Sequence, residues 1–258
     1  DSLRPISDRW KELLRKYPHM TETRMNSPAD PENPIASALY SQYCIIHELV
    51  TELSLFFKDL DGFLNHGEAL SHQLMSKGQM LINNEVPDKW FDTAEGPEVA
   101  TEWLVEVARK VDVIDSLAQD PALMDKGIEL SSLIRPTAII DALRQKTAKK
   151  TGIPIVDLSL VFAVAEEHEN AIYVKDIALQ GAVMQGNKIA PMQKDDSIII
   201  KCSTCSFSWE KISDSTKTVD IPLYSNEMRS KFIVKLPTAC HGDPKVFAFA
   251  GAAFILNR

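Results

Sequence analysis

The stretch IELSSLIRPTAIIDALRQKTAKKTGIPIVDL, Ile128–Leu158, separates a part of this 258-residue chain that reads at helical spacing from a part that reads at strand spacing. Within it, Pro136 stands just before Thr137 at a first helical turn, where a missing N–H donor does no harm. Ala138, Ile139, Ala142 and Leu143 then form an apolar stripe at helical spacing. The last turns carry Arg144, Lys146, Lys149 and Lys150, the sign favoured by the negative end of a helix dipole, and they read as a solvated helix end. Gly152 and Pro154 stop the helix. The stretch is a junction between two modules.

Upstream of it, Trp10, Leu13, Leu14 and Tyr17 mark a short helix ended by Pro18, and NSPADPENP (Asn26–Pro34) reads as an extended connector. From Ile35 to Leu64, the residues Leu39, Tyr43, Ile46, Val50, Leu53, Phe57, Leu60 and Leu64 alternate spacings of four and three, the seam of a long bundled helix. Gly62 and Gly67 are expected to interrupt it, with a second helix over Glu68–Asn83. VPDKW and FDTAEGPE read as a loop between Pro87 and Pro97, anchored by burial of Trp90. Helical spacing resumes at Trp103, Leu104, Val107, Val111, Ile114 and Leu117, ending near Asp120-Pro121.

Downstream the period becomes two. Leu158, Leu160, Phe162 and Val164 face one way, and Ile172, Val174, Ile177 and Leu179 continue after the polar turn EEHEN. Further strands are expected in SIIIK, VDIPLY, KFIVKL and KVFAFAGAAFIL, the last central in the packing, with Gly251 permitting close approach. The expected fold class is α+β: an N-terminal helical bundle followed by a C-terminal antiparallel β-barrel or sandwich.

Composition is that of a globular protein, with 45% hydrophobic and 25% charged residues. No run of eighteen apolar residues and no charged-then-apolar leader is present, so cytosol is the expected compartment. The net charge of -8 argues against a general nucleic-acid surface. A start at Asp1 rather than Met suggests a piece of something longer.

Chemistry-bearing patterns are sparse. No G-x-x-x-x-G-K-[ST] or G-x-G-x-x-G cradle for phosphates occurs, so ATP hydrolysis is not expected. Cys202-x-x-Cys205 with Cys240-His241 could supply zinc ligands, but an adjacent Cys and His rarely close one tetrahedron; reduced thiols are expected. Neighbours on a strand also point to opposite faces, which disfavours Cys240 and His241 as nucleophile and base. Asp59/Asp61, Glu166/Glu167 and Asp195/Asp196 read as solvated carboxylates, and His66 and His72 lack the i, i+4 ligand spacing. The expectation is no catalytic, cofactor or metal residue in this sequence.

The run LSSLIRPTAIIDALRQKTA with IPIVDLSL resembles the helix-to-sheet junction at the C-terminal end of dynein heavy chains, closest to the intraflagellar-transport (second cytoplasmic) class. VPDKW and AEGPE upstream, and IALQGAVMQGN, IPLYSNEMR and GAAFILNR downstream, resemble further family segments in the same order, so the resemblance spans the whole sequence. It places Arg258 at or near a natural C-terminus. It implies a lid-like small subdomain of the last AAA module over 1–84, a helical connecting part over 85–152 and a β-module over 153–258.

The implied function is a non-catalytic regulatory end of a microtubule minus-end-directed motor for retrograde intraflagellar transport. It would pack on the AAA ring and tune motor output. The implied partners are the other AAA modules, dynein subunits and microtubules, with no nucleic acid and no membrane. ATP and magnesium belong to the parent, upstream of Asp1, and the location is the cytoplasmic cytoskeleton and the cilium or flagellum. The alternative is a free-standing adaptor, a helical bundle carrying a β-sandwich that binds a partner edge to edge.

Overall fold

Buried apolar residues at helical spacing build the first part of the molecule, and Trp10 shows how. It lies in helix α1 (Arg4–Lys16), is buried with Ile6 and Leu13, and stacks on Phe57 at 5.1 Å between ring centres. Phe57 belongs to α2 (Pro34–His66), whose seam residues Leu39, Tyr43, Ile46, Val50, Leu53, Phe57 and Leu60 are all buried. The coordinates are a computed structural model describing residues 2–21, 25–67, 69, 71–164, 171–185, 188–192, 199–202, 205–211 and 217–256. They form two units, 1–29 with 39–119 and 30–38 with 120–258.

In the first unit, Gly62 does not interrupt α2 as expected. The helix runs on to His66 and stops before Gly67, which adopts a φ of 67°. One interior glycine costs only about 1 kcal/mol, less than the burial of a long seam returns. Helix α3 (His72–Ile82) begins four residues later than expected, because the Ser71 hydroxyl caps it by accepting from the Leu74 N–H.

The expected loop at VPDKW contains a short helix, α4 (Asp88–Thr93), a correction whose cause is Trp90. Its buried ring meets Phe56 edge-on at 5.2 Å and stacks over Trp103 at 6.2 Å. Trp103 lies in α5 (Ala100–Gln119) and donates its indole N–H to the Ala94 carbonyl at 2.7 Å. An aromatic spine from Trp10 to Trp103 thus ties α1, α2, α4 and α5 together.

In the second unit, α6 (Pro136–Thr151) ends where expected. Gly152 is left-handed at φ 70°, and its N–H closes on the Ala148 carbonyl. Strands β1 (Ile128–Glu129), β2 (Ser159–Val164), β3 (Ile172–Lys175), β4 (Ile177–Gln180), β7 (Ile199–Cys202), β8 (Cys205–Glu210), β9 (Thr218–Tyr224), β10 (Phe232–Ala239) and β11 (Ala253–Leu256) make one sheet. Its order is β1-β3-β8-β2-β10-β9-β11-β4-β7, and β5 (Val183–Gln185) with β6 (Lys188–Ala190) forms a separate hairpin. Phe162, Phe207 and Phe254 share its core, with Phe162 at 5.7 and 4.4 Å from the other two rings.

The expected antiparallel barrel or sandwich is therefore corrected to a mixed sheet. The pairs β1/β3, β2/β10 and β9/β11 are parallel. Two residues separate β7 from β8, so the last strand of the row must come within about 11 Å of the third, which a flat sheet forbids. The sheet curls.

A further correction falls on KVFAFAGAAFIL. Its first half is a helix, α7 (Pro244–Phe249), because Asp243 caps the Lys245 N–H and Pro244 takes the first-turn position. Only Ala253–Leu256 is strand, and it sits inside the row between β9 and β4, buried on every residue, as expected for a central strand. The turn EEHEN and the first two residues of SIIIK lie outside the described residues, and the rest of SIIIK opens β7. Among those described, no helix is long and apolar enough to cross a membrane.

Candidate functional site

Three segments singled out in the sequence, IALQGA, IPLYSNEMR and AGAAFIL, converge at one place in the second unit. The backbone leaves β9 at Tyr224 and returns into β10 through a loop closed by Ser225 N–H to Lys231 O and Arg229 N–H to Asn226 O, both 3.0 Å. Asn226 and Ser230 fasten the same loop through two side-chain hydrogen bonds. Arg229 is held at φ 54°, a left-handed conformation uncommon for any residue but glycine, asparagine or aspartate.

That backbone aims the guanidinium inward. It donates to the Gly251 carbonyl at 2.7 Å and to Gln180 Oε1 at 2.8 Å, and lies 6.0 Å from the Tyr224 ring centre. Gly251 (φ 62°) and Gly181 (φ 75°) complete the junction. A Cβ on Gly181 would stand 2.8 Å from the Ala250 carbonyl oxygen, so the close approach of the two backbones admits only glycine there. Met228, next to Arg229, is 88% exposed and Phe249, two residues before Gly251, 91%, with Phe232 and Val246 also exposed.

A second arginine works the same way. Arg144, read from sequence as a dipole-compensating cation, donates instead to the Ile155 carbonyl at 2.6 and 3.1 Å and to the Leu158 carbonyl at 3.3 Å. It also lies 4.7 Å from the Trp209 ring centre, and the Trp209 indole donates to the Ile140 carbonyl. The Ile153–Leu158 connection is thereby fixed, with Val156 exposed.

Among the described residues, the chemically suggestive ones form no cluster that could hold a metal ion. Cys205 is buried in β8 opposite Val164 and Val174. Cys240 is buried past the end of β10, where burial pushes its thiol above the usual range, with Asp243 adding and Lys217 and Lys188 opposing; His241 beside it is exposed. The Cys202 side chain, Glu166/Glu167 and Asp195/Asp196 lie outside the described residues. His66 and His72 are exposed at helix ends. Asp59 is exposed, and Asp61 binds Lys11 and Asn65. Among the described residues, no group of three or more His, Cys, Asp or Glu is placed to hold a metal ion.

Sequence reasoning passed over a buried polar group in the first unit. His47 Nε2 and Asp115 Oδ1 lie 2.6 Å apart, both side chains buried, with Tyr43 tilted on the imidazole at 4.3 Å and His19 at 3.4 Å from the other Asp115 oxygen. The available signal was a polar residue on each apolar seam, at His47 beside Ile46 and at Asp115 beside Ile114.

A sequence profile for the C-terminal domain of the dynein heavy chain matches residues 1–256. The protein belongs to this family. Mouse (Mus musculus) "Cytoplasmic dynein 2 heavy chain 1" is 22% identical over 270 residues, covering all of the present sequence. The sea-urchin (Tripneustes gratilla) protein of that name is 23% identical over 99% of it. "Dynein heavy chain, cytoplasmic" of Dictyostelium discoideum is 24% identical over 91% of this dynein sequence. The present sequence spans only 6% of the length of the first two relatives and 5% of the third.

Proposed function

We propose that this polypeptide is the regulatory C-terminal end of a dynein heavy chain of the second cytoplasmic class. Its parent is a minus-end-directed microtubule motor serving retrograde intraflagellar transport in the cytoplasmic cytoskeleton and the cilium or flagellum. ATP and magnesium are handled by AAA modules elsewhere in the parent, and residues 1–84 form the lid of the last module. This end carries no nucleotide chemistry; it packs on the ring and biases its arrangement, and so tunes stepping and force.

The observation that supports this reading is the Arg229 junction. Three family-like segments are locked there through the Gly251 carbonyl, the Gln180 side chain and an obligatory glycine at Gly181, a rigid support of the kind a brace requires. A brace transmits bias only if its own parts do not yield. The test is removal of Thr151–Arg258 from the full-length heavy chain, followed by single-molecule stepping, stall force and microtubule-stimulated ATPase. A shift in these outputs is expected; unchanged values for all of them sink the proposal.

A further inference from the structure

The buried Asp115 carboxylate serves two histidines that differ in how firmly they are held. His47 Nε2 lies 2.6 Å from Oδ1, with both side chains buried between α2 and α5. His19 Nδ1 lies 3.4 Å from Oδ2, and its Nε2 lies 3.6 Å from Asp112 Oδ1 on the preceding turn of α5. The His19 side chain is 25% exposed, against 4% for His47. His47 is held by a long helix, whereas His19 is carried by Pro18–Met20, a single 3-10 turn that follows α1. The backbone bonds of that turn are Met20 N–H to Tyr17 O at 3.2 Å and Thr21 N–H to Pro18 O at 2.9 Å. So short a turn does not persist on its own bonds, and the buried Met20 side chain and His19 tie it to the helices.

The number of protons on His19 decides what it can do there. A neutral imidazole has one N–H and one lone pair, so one of the two carboxylates must face a lone pair; only the imidazolium offers a donor to each. Among the described residues, the titratable groups around this ring are Asp112 and Asp115 from α5, and His47 with Tyr43 tilted on it from α2. The end of α1 brings Tyr17, whose ring carries the Lys16 ammonium at 5.3 Å. Beside the turn, Met20 and Thr21 line a cavity of about 320 Å³ together with His47, Ser54, Leu55 and Lys58 of α2.

We infer that His19 is a proton-operated latch: as the imidazolium it bridges Asp112 and Asp115 and closes the Pro18–Thr21 turn onto α5, and as the neutral ring it gives up one contact and lets the turn open the cavity beside it. The grip is present on the acid side of histidine titration and weakens as pH rises through it. Far below, once the carboxylates themselves are protonated, it is lost again. His47 stays on Asp115 in both states, so the latch acts on the turn and not on the two helices.

The test is hydrogen exchange of the full-length heavy chain at about pH 6 and about pH 8, on the two sides of ordinary imidazole titration. It is read by mass spectrometry on the peptide that holds the Met20 and Thr21 amides, corrected for the intrinsic pH dependence of exchange. Protection is expected to be about threefold greater at the lower pH, the worth of a partly exposed ion pair. His19→Gln, which keeps a neutral donor, is expected to level the two values. Asp112→Asn is expected to shrink the difference, and because that side chain is 47% exposed the substitution leaves the fold intact. Equal protection at the two pH values in the unsubstituted protein overturns the inference. So does a difference that survives His19→Gln or is unmoved by Asp112→Asn, since the response then belongs to another group.

Discussion

The two units are held together by different chemistry. In the helical unit, buried and half-buried carboxylates tie elements from side chain to side chain: Glu52 of α2 accepts from Lys77 at 2.6 Å, from the Trp90 indole at 2.9 Å and from Lys89 at 3.2 Å, and Asp115 of α5 meets His47 of α2. In the sheet unit, Arg144 and Arg229 bind backbone carbonyls of Ile155, Leu158 and Gly251. Helices satisfy their own backbone except at their ends, where the Ala94 carbonyl takes the Trp103 indole, so side chains make most of the connections. Curled strands with irregular connections leave carbonyls unclaimed, and a five-donor guanidinium is suited to collect them.

Charge follows the same division. Residues 1–29 and 39–119 carry 18 acidic and 11 basic residues, a net of -7, whereas 30–38 and 120–258 carry 18 and 17, a net of -1. Acid should therefore loosen the helical unit's ties first. The two units can be followed separately, because Trp10, Trp90 and Trp103 lie in the first and Trp209 in the second.

The largest effect is expected at Gly181. Gly181→Val forces a branched side chain into left-handed backbone and against the Ala250 carbonyl, and should cost about 4 kcal/mol or more, read as early loss of Trp209 fluorescence in denaturant with the other tryptophans unmoved. Next is Asp115→Ala, which removes the carboxylate from buried His47. A loss of about 3 kcal/mol is expected from the helical unit alone, and a drop in Trp209 stability of the same size would break the distinction drawn between the units.

Arg229→Ala should destabilise the sheet unit by about 2 kcal/mol, the worth of charge-assisted hydrogen bonds to Gly251 and Gln180. Arg229→Lys should recover little of it, because a single guanidinium nitrogen, Nη2, makes both bonds and a lysine ammonium, on a shorter side chain, does not reach that position. The comparison sharpens if hydrogen exchange rises together at Gly181 and Ala252 in both variants.

The smallest effect concerns pH. Burial alone would raise the Glu52 carboxyl, but hydrogen bonds from Lys77, Trp90 and Lys89 outweigh it and hold the group down at about 2 against its ordinary 4.5. A depressed carboxylate contributes stability that is present above pH 4.5 and is lost as pH falls toward 2. With the group partly solvated, Glu52→Gln should cost only about 1 kcal/mol at neutral pH, and the difference from wild type should vanish in acid. An unchanged difference at pH 2.5 would refute the ion-pair account of that hub.

Legibility in the sequence differed between the units for a physical reason. The seam from Leu39 to Leu60 was readable because a helix makes its hydrogen bonds within four residues, so the pattern of one segment reports its own structure. The misreadings there, at Gly62 and at α4, are local errors in which tertiary burial overrode a breaker signal. In the sheet unit the presence of strands was readable and their partners were not. The insertion of β8 between β3 and β2, and of β11 between β9 and β4, depends on residues far apart in sequence. The same holds at the corner, where IPLYSNEMR could be noticed as a segment but nothing in it states that Arg229 reaches Gly251 and Gln180.

What the sequence by itself determined is the change from helical to strand spacing across Ile128–Leu158, the helix that stops at Gly152, the bundled seam of α2 and the family resemblance spread from end to end. What only the tertiary structure decided is the mixed strand order, the helix hidden in KVFAFA, and the meeting of three segments on one arginine. The first set rests on hydrogen bonds and side-chain periods that close within a turn or two. The second rests on pairings between distant segments, and those become favourable only when the whole sheet is assembled.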